Sequence, residues 1–156
     1  MGSLNITNEE IADKLEELAN YLELEGGDIY KIRAYKNAAQ VIRGIGEDLC
    51  EMVKQGKDLK AFSGIGRNIE NKIIEIVKTG DLTKLKKLRL KYPKDILKLL
   101  NIHGLGIKKI KTLCESLNIT SLKELLDYAE KGRIKSLPGF GVKLEKKIFE
   151  YLKKFN

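Results

Sequence analysis

Three short glycine-containing motifs hold the residues of this sequence best placed to do chemistry. Phe62-Ser63-Gly64-Ile65-Gly66, Ile102-His103-Gly104-Leu105-Gly106 and Leu137-Pro138-Gly139-Phe140-Gly141 all run apolar, variable, glycine, apolar, glycine. Each follows a helical stretch and opens an amphipathic helix, marked by Ile69/Ile73/Ile76, Ile107/Ile110/Leu113 and Leu144/Ile148/Leu152. Paired glycines permit a hairpin whose backbone angles other residues dislike. Ile65, Leu105 and Phe140 are then expected to plug between the flanking helices. Where the second glycine starts a helix, the first amides lack intrahelical acceptors. Together with the helix dipole they suit an anionic oxygen. Bases follow at once: Arg67, then Lys108 and Lys109, then Lys143. Gly64, Gly66, Gly104, Gly106, Gly139 and Gly141 would let a phosphodiester approach closely, a contact that positions a nucleic acid without reading its sequence.

A single such motif is equally well a tight turn between helices; three with matching flanks favour phosphate binding. A dinucleotide-binding glycine loop fits poorly, because no strand precedes any motif and no third glycine follows at the required spacing. Helical-repeat scaffolds fit poorly too, since the offsets between motifs are unequal, 40 and 35 residues.

One lysine is placed for covalent chemistry. Ile69, Lys72, Ile73 and Ile76 form a stripe at helical spacing, so the Lys72 amine sits at the edge of an apolar face. Partial desolvation and nearby cations would favour the neutral amine, which attacks an aldehyde. A snorkelling lysine covering the helix edge is the plainer account, and Lys147 holds the same place after the third motif.

The elements that must position these groups are helical throughout. Thr7 with Glu10 forms a capping box before Ile11, Leu15, Leu18 and Leu22. Gly26-Gly27 stops that helix, and Asp28 caps a second running through Tyr35, Ala38, Ala39 and Ile42 to Gly44. A short helix is expected from about Glu47 to Lys54, ending at Gly56. Ser121 with Glu124 opens another that ends near Gly132. Alternating strand patterns are absent, so the fold class is all-α: a helical-bundle domain over residues 1–91 with the first hairpin, then residues 92–156 with the second and third. Pro93 makes 91–94 the joint.

Charge is divided unevenly along the chain. Residues 1–30 hold eight acids against Lys14 alone, a net of −7, whereas the remainder carries 29 bases and 14 acids, a net of +15. That asymmetry points to a polyanionic partner for everything after residue 30. A lysine-rich composition used for solvation would also produce it. No segment approaches the roughly 20 apolar residues of a membrane span, and no signal pattern opens the chain; Met1-Gly2-Ser3 reads as a cloning remnant. The expectation is a cytoplasmic, nucleoid-associated monomer. Cys50 and Cys114 lack metal-ligand spacing and are expected to be buried thiols. His103, the one histidine, lies at a hairpin apex and reads as a solvated turn residue. Tyr92 and Tyr128 read as packing residues.

With these residues in view, the chain resembles the N-terminal part of the X-family DNA polymerases, in their bacterial and archaeal branch. Tyr30-Lys31-Ile32-Arg33-Ala34-Tyr35-Lys36-Asn37-Ala38-Ala39 resembles the family's lyase-domain helix. Residues 62–80 resemble its first helix-hairpin-helix, and 102–113 the second, in the fingers. The resemblance implies binding of gapped, nicked or abasic DNA in repair. It also implies removal of a 5′-deoxyribose phosphate, or nicking at an abasic site, by a Schiff base on Lys72. That chemistry needs no cofactor. Lys31 and Tyr35 would stand beside Lys72, with Tyr35 orienting or relaying a proton, and Lys84 would bind phosphate. Asn68 falls where the family places a phosphate-contacting lysine, with Arg67 beside it. Tyr30 stands where relatives often have histidine, and Asn71 where an acid is common; these departures bear on lyase rate more than on DNA binding. The resemblance further implies a Na+ or K+ held by the carbonyls of Lys60, Phe62 and Ile65, and of Leu100, Ile102 and Leu105. Polymerisation would require paired aspartates on a palm. No Asp-x-Asp occurs here, so a polymerase domain is expected only as a further part of a full-length product. The alternative is a non-catalytic helix-hairpin-helix tether or adaptor.

Overall fold

A computed structural model describes residues 5–155, so Met1-Gly2-Ser3 lies outside the described residues. Among these, every regular element is helical: α1 (Asn8–Glu25), α2 (Ile29–Arg43), α3 (Leu49–Lys54), α4 (Arg67–Thr79), α5 (Thr83–Arg89), α6 (Ile107–Leu117), α7 (Leu122–Glu130) and α8 (Val142–Lys153), with 3-10 segments at Leu59–Ala61 and Ile96–Asn101. The chain divides into two compact units, Met1–Lys87 and Leu88–Asn156.

In the first unit α1 packs along α2. The capping box forms as expected, with the Thr7 side chain accepting from the Glu10 amide and the Glu10 side chain returning to the Thr7 backbone. Ile11, Leu15, Leu18 and Ile42 are fully buried, and Ala12, Ala19, Ala38 and Ala39 fill the contact where only small side chains fit. Truncating Leu15 to alanine would cost about 2–5 kcal/mol. The short third helix begins at Leu49, two residues later than expected, because Asp48 takes the N-cap and accepts from the Glu51 amide. Ile69, Ile73, Ile76 and Val77 bury one face of α4, which meets α1 and α3.

In the second unit the core is Ile96, Leu99, Ile110, Leu113, Leu125, Ile134 and Ile148, all fully buried, with α7 packed on α8. Ser121 caps α7 through the Glu124 amide, but the Glu124 carboxylate bonds the Thr120 hydroxyl, so half of the expected box forms. Neither Cys50 nor Cys114 forms a disulfide. Cys50 is buried as expected, whereas Cys114 is only partly so; burial still pushes its thiol up to about 11, which keeps it protonated at neutral pH. Tyr128 is half-buried. Among the described residues no Ser, Thr, Asn, Gln, His or charged side chain is buried, and the polar atoms in the core are those of Tyr21, Tyr35 and Cys50.

Candidate nucleic-acid interface

The three hairpins share one backbone hydrogen-bond pattern. In the first, the Phe62 amide donates to the Leu59 carbonyl, Ile65 to Phe62, and Glu70 to Gly66, at 3.2, 3.1 and 2.8 Å. The second repeats this with Ile102 to Leu99, Leu105 to Ile102 and Ile110 to Gly106, and the third with Leu137 to Ile134, Phe140 to Leu137 and Glu145 to Gly141. The two glycines of each hairpin do different work. Gly64, Gly104 and Gly139 take φ of 93°, 92° and 82°, left-handed angles that favour glycine. A side chain on Gly64 would also strike Val41 at 3.0 Å and Asn37 at 3.2 Å on α2. Gly66, Gly106 and Gly141 are extended, a conformation open to any residue. A Cβ on any of the three would meet nothing within 4 Å. Conformation therefore does not demand the second glycine; the space in front of it is simply open.

Capping separates these helices from the rest. Thr7, Asp28, Asp48 and Ser121 place a side-chain oxygen on the first amides of α1, α2, α3 and α7. The hairpin helices α4, α6 and α8 start at glycine with no side-chain cap bond. Arg67, Lys108 and Lys143, in the first turns of these helices, are exposed. Lys109 departs from that picture. It is half-buried and its ammonium donates back to the Gly104 carbonyl at 3.2 Å. Ile65 and Leu105 are buried plugs, 3 % and 4 % exposed, but Phe140 is only half-buried.

Two carboxylates that sequence reasoning passed over hold the hairpins in shape. Glu70 accepts from the Leu59 amide at 2.8 Å, and Glu145 from the Ile134 and Lys135 amides at 2.8 Å each. Both stand four residues after the second glycine, so aligning the motifs would have shown them; Ile110 occupies that place in the second hairpin.

Around Lys72 the structure joins only some of the expected partners. Lys72 is half-buried, on the α4 face where Ile69, Ile73 and Ile76 are buried. One turn earlier, Asn68 donates to the Tyr35 hydroxyl at 3.4 Å. Tyr35 is 3 % exposed, and its pKa is raised by desolvation, with the Asn68 bond opposing. The Glu75 carboxylate stands near enough to Lys72 for their charges to interact. Glu75 accepts from the Thr83 amide at 2.8 Å and its hydroxyl at 2.9 Å. Those bonds, with a smaller part from Lys72, hold its carboxyl below the usual range. Lys31 on α2 and Lys84 on α5 are exposed.

The carbonyl set named for a monovalent cation consists of neutral oxygens, the donors such ions take. Phe62 and Ile102 each accept one amide at 3.1 Å and keep a second lone pair. The cradle of Lys60, Phe62 and Ile65 thus has the same bond pattern as that of Leu100, Ile102 and Leu105, and the residues present fit the ion. Among the described residues no group of three or more His, Cys, Asp or Glu is placed to hold a metal ion, and no helix is long and apolar enough to cross a membrane.

Fold and site together define a tandem helix-hairpin-helix protein. The helix-hairpin-helix domain family matches residues 6–82, and the SAM-like helix-hairpin-helix tandem family matches 96–154. The chain is similar to the DNA polymerase/3′-5′ exonuclease PolX of Bacillus subtilis (strain 168), with 33 % identity over 138 residues. That alignment covers 88 % of this chain and 24 % of the relative, so the chain spans about a quarter of that protein's length. The likeness to X-family DNA polymerases thus extends over most of the chain.

Proposed function

We propose that this protein grips the sugar-phosphate backbone of gapped, nicked or abasic DNA without reading base sequence, as a module of DNA repair. The observation that carries this reading is the missing cap. Three helix starts offer uncapped amides to open space beside exposed bases, while α1, α2, α3 and α7 satisfy theirs internally. A phosphate oxygen is the ligand such a start takes. Asn68, Arg67, Lys84, Lys108 and Lys143 extend the contact, and a Na+ or K+ on the hairpin carbonyls would offset phosphate charge there. A non-specific grip predicts equal affinity for duplexes of different sequence, measured by fluorescence anisotropy. A strong sequence preference overturns it.

The same module removes a 5′-deoxyribose phosphate or nicks at an abasic site. The Lys72 amine attacks the aldehyde carbon of the ring-opened sugar and water leaves, giving an imine. Loss of a proton from the adjacent carbon then expels the phosphate at the β position, and hydrolysis of the imine returns the amine. Lys31 on α2 binds the substrate's phosphate side. Tyr35 is too deeply buried to touch a sugar and acts as a positioning residue, holding Asn68 at the start of α4. Borohydride trapping on abasic DNA tests the step: the parent gives a covalent adduct, and Lys72→Ala loses it while keeping DNA affinity within about twofold, because Lys72 is not one of the residues placed on phosphate. Absence of an adduct with the parent leaves a non-catalytic tether.

A further inference from the structure

The second and third hairpins lie against each other. Leu144 Cδ1 stands 3.9 Å from where a Cβ on Gly104 would be, and Lys109 Cε stands 3.6 Å from the same point on Gly139. Lys109 and Leu144 hold one motif position, and so do the two glycines, so the contact is an exchange between hairpins related by an approximate twofold. Its charge is not twofold. Where the third hairpin contributes Leu144, the second contributes Lys109, whose ammonium turns onto the Gly104 carbonyl at 3.2 Å. From α8, the Lys147 ammonium reaches across to 3.5 Å from the His103 carbonyl. Lys147 sits six residues past its second glycine, and the counterpart on α6 is Thr112, whose hydroxyl is spent on the Lys108 carbonyl at 3.1 Å. Two ammonium groups therefore meet successive carbonyls at the apex of the second hairpin, an arrangement not repeated at the third among the described residues.

We propose that Lys147 and Lys109 form a phosphate-binding seat at the apex of the second hairpin, making it the stronger grip of the pair. An ammonium carries three donors. The carbonyl fixes one and thereby orients the group, while the others remain for an oxyanion. Lys147 is exposed, so its remaining donors face solvent. The ligand is a nucleic-acid phosphodiester, and the inference rests on the DNA-binding reading above.

Affinity for a short nicked duplex, measured by anisotropy across a salt series, tests it with the full chain, Lys147→Gln, Lys147→Arg and Lys123→Gln, the last an exposed lysine on α7. Lys147→Gln is expected to weaken binding about tenfold and to reduce the slope of log affinity against log salt by about 1. Lys147→Arg keeps the slope and Lys123→Gln changes affinity less than about twofold. A Lys147→Gln protein that binds as Lys123→Gln does, while the parent binds with a steep slope, overturns the seat alone. So does a Lys147→Gln protein with a lower melting temperature and an unchanged slope, since Lys147 would then be structural. A parent without salt-dependent binding overturns the DNA-binding reading and the seat with it.

Discussion

Gly106 and Gly104 are two residues apart and chemically identical, yet the structure assigns them opposite liabilities. At Gly104, with φ of 92°, any side chain forces a left-handed residue and costs about 1–2 kcal/mol. At Gly106 the backbone is extended and the space is open, so an aspartate fits there and caps α6. Gly106→Asp should raise stability by about 0.3 kcal/mol, or a melting temperature by about 1 °C, because it satisfies amides left bare in the parent. The same carboxylate occupies the place proposed for a phosphate, so DNA affinity should fall at least about tenfold through like-charge repulsion. Calorimetry and anisotropy on one variant check both halves. A more stable protein with undiminished affinity would separate the helix start from the ligand. Sequence located these glycines, the bases beside them and Lys72, because residue type and spacing survive without coordinates. It could not tell the two glycines of a pair apart, since only backbone angles do that. Nor could it foresee that Lys109 folds back on its own hairpin or that the Tyr35 hydroxyl is buried against Asn68.

At the scale of elements, helix ends were the most legible part of the fold. Thr7, Asp28 and Ser121 are short polar side chains before apolar-periodic runs, and each caps as its type dictates. What sequence missed were side-chain bonds from one element to another. Glu75 ties α4 to the start of α5 through Thr83. Its folded-state pKa is depressed, so its contribution is present above the unfolded carboxyl value and is lost as pH falls through the lower folded one. Glu75→Gln should therefore destabilise by about 1 kcal/mol at pH 7, with the difference from the parent shrinking below about pH 4. Urea melts at several pH values read this out, and a constant difference across pH would contradict it. Arg43 is the second such tie. Its guanidinium bonds Glu9 on one side and reaches Asp13 at 2.7 Å and Glu16 at 2.9 Å, and those carboxylates raise its pKa. Much of the acidity of α1, ambiguous in the sequence, is thus answered from α2. Arg43→Ala should cost about 1 kcal/mol at low ionic strength and less at high salt, as thermal melts at two salt concentrations would show.

Across the whole molecule, composition and repetition said more about function than any single motif. The net of +15 after residue 30 and the threefold hairpin pattern both point to one polyanion, and the structure adds that α4, α6 and α8 start without caps. The all-α class followed from periodicity, whereas the near-twofold pairing of the second and third hairpins required coordinates. Relatives of greater length fit the same logic, in which a backbone-holding module need not carry the chemistry of polymerisation. The most direct test of the central claim is the salt dependence of DNA binding by the intact chain. With about four phosphates held at the hairpins, log affinity should fall against log salt with a slope of about −3 to −4, alike for unrelated sequences. A slope near zero would mean that the uncapped helix starts do not hold phosphate.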